Sequence, residues 1–135
     1  MEQSIWQKLQ VAIVNCVNGE EFQSEEILED QIKAVAGESG IPLPVRNKKI
    51  FSRCNYEWDF VWYDVKLVVE CQGGLFMQKG AHNTGKAITR DILKNNVAVM
   101  HDWDVLFYST AMVKSGEAVN EIEKYLLAKK EKWGG

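Results

Sequence analysis

Asp59 lies in Tyr56-Glu57-Trp58-Asp59-Phe60 and Glu70 in Val68-Val69-Glu70-Cys71-Gln72-Gly73-Gly74, each inside an apolar run of strand type. An unpaired carboxylate is costly to bury, so such groups are paired, protonated or bound to a metal. The two acids lie one hairpin apart and a basic helix pattern follows, an arrangement suited to Mg2+-dependent cleavage of a phosphodiester. In that chemistry the metal neutralises the phosphate, acidifies a bound water and stabilises the leaving oxygen. Mg2+ takes hard oxygen ligands at about 2.0–2.1 Å and keeps several waters, so two or three carboxylates suffice. Asp59 and Glu70 are the candidate ligands, with the backbone carbonyl of Cys71 as a third. Glu25 arrives from a preceding helix and can complete the cluster or hold a second metal; Glu26 competes for that role. Gln72 sits beside Glu70 and can orient the attacking water or donate to the phosphate. The opposing interpretation makes Asp59 and Glu70 exposed residues on one solvated sheet face.

Other side chains around these acids could serve the same reaction. His82, in a Gly-rich loop, can exchange a proton near neutral pH. Lys86, Arg90 and Lys94 recur every four residues as one basic helix stripe, which either follows phosphates or is merely solvated. Asp91 and Lys94 can pair across the site, Lys94 supplying the cation that Gln72 does not. Arg46, Lys48, Lys49 and Arg53 around the first strand, with Lys79 in the loop, are further phosphate-contact candidates. His101 and Trp103 have structural roles, and Trp58, Phe60 and Trp62 alternate as core residues do.

The elements that must position these groups follow from pattern. Ile5, Leu9, Ile13 and Val17 fall at successive fourth positions, predicting an amphipathic helix over 2–18 that ends at Asn18-Gly19. Ser24 can cap a second helix over 25–36, with Leu28, Ile32 and Val35 inward and Glu25 at the edge of that face. Ile41-Pro42-Leu43-Pro44 must be extended. Strands are expected over 46–52, 56–63 and 66–72, the last two joined by a tight turn at Tyr63-Asp64. Period-two geometry puts Trp58, Phe60 and Trp62 on one face and Glu57, Asp59 and Val61 on the other. It likewise sets Leu67, Val69 and Cys71 against Val68, Glu70 and Gln72. A helix over 86–100, a strand over 105–108 and a helix over 116–130 complete an α-α-β-β-β-α-β-α order. That order is an α/β fold, a mixed sheet flanked by helices.

At 135 residues, 46% apolar and 26% charged, the chain is one globular domain with a real core. No run approaches the ~18 apolar residues of a membrane span, and Met1-Glu2-Gln3-Ser4 lacks the features of a secretory signal. Cys16, Cys54 and Cys71 form no CxxC pair, so neither a disulfide framework nor structural zinc is expected, and a cytoplasmic location fits. The net charge of −3 is unevenly spread, with −6 over residues 1–41, +4 over 42–94 and −1 over 95–135. The positive stretch carries both acids, and local field rather than overall charge steers a polyanion.

Taken in order, these segments resemble the PD-(D/E)XK nuclease superfamily. They are most similar to small phage and bacterial proteins related to Holliday-junction resolvases and very-short-patch repair endonucleases. The resemblance runs through Leu43-Pro44-Val45, Tyr56-Glu57-Trp58-Asp59-Phe60 and Lys66-Leu67-Val68-Val69-Glu70-Cys71-Gln72-Gly73-Gly74. It continues in Gly80-Ala81-His82, Asp91-Ile92-Leu93-Lys94-Asn95-Asn96, Trp103-Asp104-Val105-Leu106 and Met112-Val113-Lys114-Ser115-Gly116-Glu117-Ala118. It covers roughly 24–127, leaving helix 2–18 outside; each motif is short, and the ordered series is the more specific signal.

The resemblance implies a restriction-endonuclease-like fold and a Mg2+-dependent DNA endonuclease, with Mn2+ as a substitute metal. Asp59 and Glu70 would be the ligands and Glu25 the helper. It further implies a branched or structured DNA substrate, a homodimer that cuts two strands at matched positions, no organic cofactor, and residence in a bacterial or phage-infected cell. Two departures stand out: Gln72 where the superfamily often has lysine or another acid, and Glu57 where near relatives tend to have a basic residue. They leave open a competing expectation, a nuclease-fold DNA- or protein-binding module whose chemistry has decayed.

Overall fold

The computed structural model describes residues 24–71 and 84–134, with the backbone alone for residues 84–88. Helix 2–18, Gln72, Lys79 and His82 lie outside the described residues, as does the Lys86 side chain. In chain order the elements are α1 (Ser24–Ser39), β1 (Val45–Lys48), β2 (Trp58–Trp62), β3 (Leu67–Cys71) and α2 (Thr84–Met100). Then come β4 (Asp104–Tyr108), α3 (Thr110–Ser115), α4 (Glu117–Ala128) and a 3-10 turn at Lys130–Lys132. The four strands form one open mixed sheet in the order β1-β2-β3-β4. The first three are antiparallel and β4 runs parallel to β3. Such a parallel pair needs a crossover, and α2 lies within it.

Each face of the sheet carries its own apolar layer. On one side Phe60, Trp62, Leu67 and Val69 meet Ile27, Leu28, Ile32 and Val35 of α1 and Val119, Ile122 and Leu126 of α4. On the other, Val61, Val68 and Trp58 meet Ala98 of α2 and Trp103. Leu67, Val68 and Val69 are all fully buried because β3 is covered on both faces, so its sequence reads as continuous apolar rather than alternating. α1 is longer than its periodicity suggests and also buries Gln31, whose Nε2 donates to Val113 O at 2.9 Å and ties α1 to α3. The β2–β3 turn forms where expected, with Lys66 at φ 53° and its N–H donating to Tyr63 O.

Two expectations need correction, and one helix is additional to those expected. The first strand stops at Lys48 rather than 52, because Asn47 adopts φ 51° and kinks the ladder. Beyond it Ile50 and Phe51 fold over the second apolar layer. Trp58 belongs to that same layer, not to the face of Phe60 and Trp62. In the β1–β2 register Asn47 stands opposite Asp59, so Trp58 lies where the ladder is already distorted. The final helix, expected over 116–130, forms as α4, and a short helix, α3, additional to those expected, precedes it across Gly116. Ser109 caps α3 by accepting the Met112 N–H, and Gly116 at φ 87° ends α3 and begins α4.

Two glycine substitutions test these conformations. Gly37→Ala, in α1 with open space around the added methyl, should stabilise by about 0.5–1 kcal/mol. Gly116→Ala, at positive φ, should destabilise by about 1–2 kcal/mol. Urea denaturation of both variants measures the two shifts.

Candidate active site

Phe60 pairs with Val69 at the end of the β2–β3 ladder, and Asp59 and Glu70 are the residues that flank this last pair. Like charges so placed on an antiparallel pair repel, so each needs a compensating partner. Glu70 is buried, 6% exposed, and its Oε1 is met by the Lys94 Nζ of α2. Lys94 lies one turn before Ala98, the buried residue of that helix, so both project onto the sheet. The same ammonium stands 5.1 Å from the Trp58 ring centroid. Burial lowers the Lys94 pKa, while the charges of Asp59 and Glu57 oppose the shift.

Asp59 is fixed at both its carboxylate and its backbone. Its Oδ2 accepts the Cys71 N–H at 2.9 Å, and its carbonyl accepts from Arg46 Nε at 2.9 Å. Arg46 spends the rest of its guanidinium on Glu29, Nη1 to Oε1 at 2.8 Å, and lies over the Phe60 ring at 4.5 Å. This Arg46 is therefore committed to the scaffold, whereas Lys48, Lys49 and Arg53 are exposed. Arg90 lies over the Tyr56 ring at 5.7 Å.

Glu25, in the first turn of α1, reaches Asp59, and its protonated carboxyl donates to the Asp59 carboxylate. Burial first, then the Asp59 charge and this hydrogen bond, push the Glu25 pKa up to about 7; Arg46 pulls it down and Glu26 adds to the rise. Glu26 itself is exposed, so Glu25 is the acid of α1 that meets the strand carboxylates. The Cys71 thiol beside them is pushed up to about 12 by burial and by Asp59 and Glu25, and stays protonated. Asp91 has its pKa raised by burial and by Asp59 against the pull of Arg90. The cation of Lys94 goes to Glu70 rather than to the expected Asp91.

Three acids from three elements thus gather at one end of the sheet, Asp59 at the centre, Glu25 hydrogen-bonded to it and Glu70 across the ladder. Asp59 Oδ2 is held by the Cys71 N–H and Glu70 Oε1 by Lys94. Among the described residues no three His, Cys, Asp or Glu side chains close into a metal-binding group. The scaffold role of Arg46 escaped pattern reading, since only its register opposite Phe60 reveals the stacking. Comparison with protein-family profiles, curated proteins and solved structures finds no match.

Two measurements probe this charge arrangement. Glu25 holds its proton up to about pH 7 in the folded chain, against an ordinary value of 4.5. Between those values the folded state binds more protons than the unfolded state, so this contribution is complete below 4.5 and is lost as pH rises through about 7. Thermal melts across that window in metal-free buffer should show the decline, and Glu25→Gln should flatten it. Lys94→Met leaves Glu70 buried without its cation and should cost about 3–5 kcal/mol. Adding Glu70→Gln should recover much of that loss in a double-mutant cycle.

Proposed function

We propose that this protein is a divalent-metal-dependent DNA endonuclease with a restriction-endonuclease-like fold, hydrolysing phosphodiesters in branched or structured DNA. What supports this reading is the convergence of Glu25, Asp59 and Glu70 on one end of the sheet beside Lys94, where burial first and then Asp59 push the Glu25 pKa up to about 7. Lys94 pairs with Glu70, and Arg46, paired with Glu29, reaches Asp59 only at its backbone carbonyl, so Glu25 and Asp59 lack a dedicated counter-charge. A cation bound at Asp59, Glu25, Glu70 and the Cys71 carbonyl would supply it. The donor chemistry fits, since these are hard oxygens of the kind Mg2+ or Mn2+ prefers.

Bound there, the metal would polarise the scissile phosphate and acidify an attacking water. The chain's own groups have separable tasks. Asp59 is held by the Cys71 N–H and through its carbonyl by Arg46, so its carboxylate is presented without loss of side-chain freedom on binding. Lys94 keeps a half-buried positive charge one side chain from the metal ligands, able to turn from Glu70 towards a phosphate oxygen. It occupies the electrostatic role that the superfamily's strand lysine fills and Gln72 does not. Glu25, once deprotonated, would be free to serve as a further oxygen ligand. The roles of Gln72 and His82, orienting water and exchanging a proton, rest on sequence position. Exposed Lys48, Lys49 and Arg53 are the described residues available to phosphates at the β1 side.

A second reading, a nuclease-fold binding module without catalysis, is favoured by one observation. The Glu70 carboxylate is closed on Lys94 and does not join Glu25 and Asp59 in a three-acid set. Cleavage assays on linear, mismatched, flapped and four-way DNA decide between the two. A nuclease should cut at least one form with Mg2+ or Mn2+, with Asp59→Ala and Glu70→Ala reducing the rate to background while DNA binding persists. Lys94→Met should slow cutting by about 10²–10³-fold. Salt-sensitive binding that is indifferent to metal, with no cleavage of any form, establishes the module instead.

A further inference from the structure

Trp58 is the largest fully buried side chain among the described residues, 1% exposed, and its Nε1 meets no hydrogen-bond acceptor among them. A buried indole normally bonds through its N–H, so this position uses the ring instead. The kink at Asn47 takes that ring out of the layer of Phe60 and Trp62 and sets it towards α2. There the Lys94 ammonium lies 5.1 Å from its centroid. Two aromatics brace the ring. Phe51 meets it at 5.6 Å and 81°, and Tyr56 at 6.2 Å and 82°, both edge to face. Tyr56 in turn lies under Arg90 at 5.7 Å, about one helical turn before Lys94. Two successive cations of the α2 stripe thus rest on two alternate aromatics of one segment, both within the ~6 Å range of cation–π attraction.

We propose that Trp58 is the positioning residue of Lys94: its ring seats the ammonium beside Glu70 and keeps it there once Glu70 is taken as a metal ligand. The part this plays in cleavage rests on the endonuclease reading, whereas the seat itself does not. Lysine carries its charge on a flexible four-carbon stem, and the Lys94 side chain is only 14% exposed, so its ammonium needs a seat that survives release from Glu70. A further carboxylate there would trap the cation and draw it away from a phosphate. A neutral ring attracts the cation but competes weakly with an anionic oxygen, so it holds Lys94 without trapping it. The edge-to-face contacts of Phe51 and Tyr56 fix the ring, and the ring fixes where the charge sits.

Lysine side-chain NMR of the full chain, run beside steady-state cleavage of DNA with Mg2+, tests this. In the wild type the Lys94 ε-protons, assigned by their loss in Lys94→Met, should be shifted upfield of those of the exposed Lys48 and Lys49 by the Trp58 ring current. Trp58→Phe should keep much of that shift and most of the cleavage rate. Trp58→Met, comparable in size and apolarity but without a π face, should abolish the shift and lower kcat about tenfold with KM unchanged. A merely structural role predicts equal losses in the two variants. If either fails to fold, fluorinated tryptophan at position 58 keeps the shape and weakens the π face. Increasing fluorination should then loosen the Lys94 side chain stepwise, read by its NMR relaxation, and lower kcat in parallel. An unshifted Lys94 in the wild type, full kcat in Trp58→Met, or a Lys94 indifferent to fluorination overturns the proposal. A wild type that cuts no DNA, with the ring-current shift and fluorine response intact, sinks the endonuclease reading instead and leaves Lys94 seated on Trp58.

Discussion

A carboxylate in the middle of a buried strand is the constraint around which this molecule is arranged. Glu70 follows the fully buried Val69 on β3 and is itself only 6% exposed. Removing such a charge from water is tolerable only with a close counter-charge. Lys94 provides it from 24 positions away in sequence. The parallel β3–β4 pairing makes this possible, since the crossover lays α2 over the same face that Glu70 points to. Fold and charge compensation therefore depend on each other: without the crossover the acid has no partner, and without the pair the crossover helix loses its polar anchor to the sheet.

The other two acids are managed differently. The Asp59 carboxylate accepts a backbone N–H from Cys71, while its own backbone carbonyl is held by an arginine braced on Phe60 and Glu29. Glu25 is satisfied by retaining a proton. A site of this kind sacrifices stability at neutral pH, because the cluster favours one proton that an unfolded chain would release. Sites that sacrifice stability in this way are the ones where perturbed acids concentrate for chemistry.

Much of this was legible before any coordinates. The apolar runs around Asp59 and Glu70 predicted strands, and the Tyr63-Asp64 turn set the register that makes the two acids neighbours. The apolar spacing of α1 put Glu25 at the edge of its inward face, where it meets Asp59. The four-residue stripe on α2 singled out Lys94, although its partner is Glu70 and not Asp91. What escaped notice depends on backbone or long-range geometry. Asn47 has no residue type that demands a positive φ, yet its kink shortens β1 and moves Trp58 to the other layer. Arg46 has the composition of a phosphate contact, and only its pairing opposite Phe60 turns it inward. The burial of Gln31 has no local signal, since its acceptor, Val113 O, is 82 positions distant.

The kink at Asn47 has one more effect. Among the described residues β1 is an outer strand of an open sheet, and the backbone rim of such a strand is a template for adding strands from neighbouring chains. Here that rim is four residues long, bent at its third position and continued by two adjacent lysines, Lys48 and Lys49. Shortness, curvature and repulsion all oppose fibrillar stacking along this border, so the twist that misplaces a tryptophan also guards the sheet against self-propagating growth.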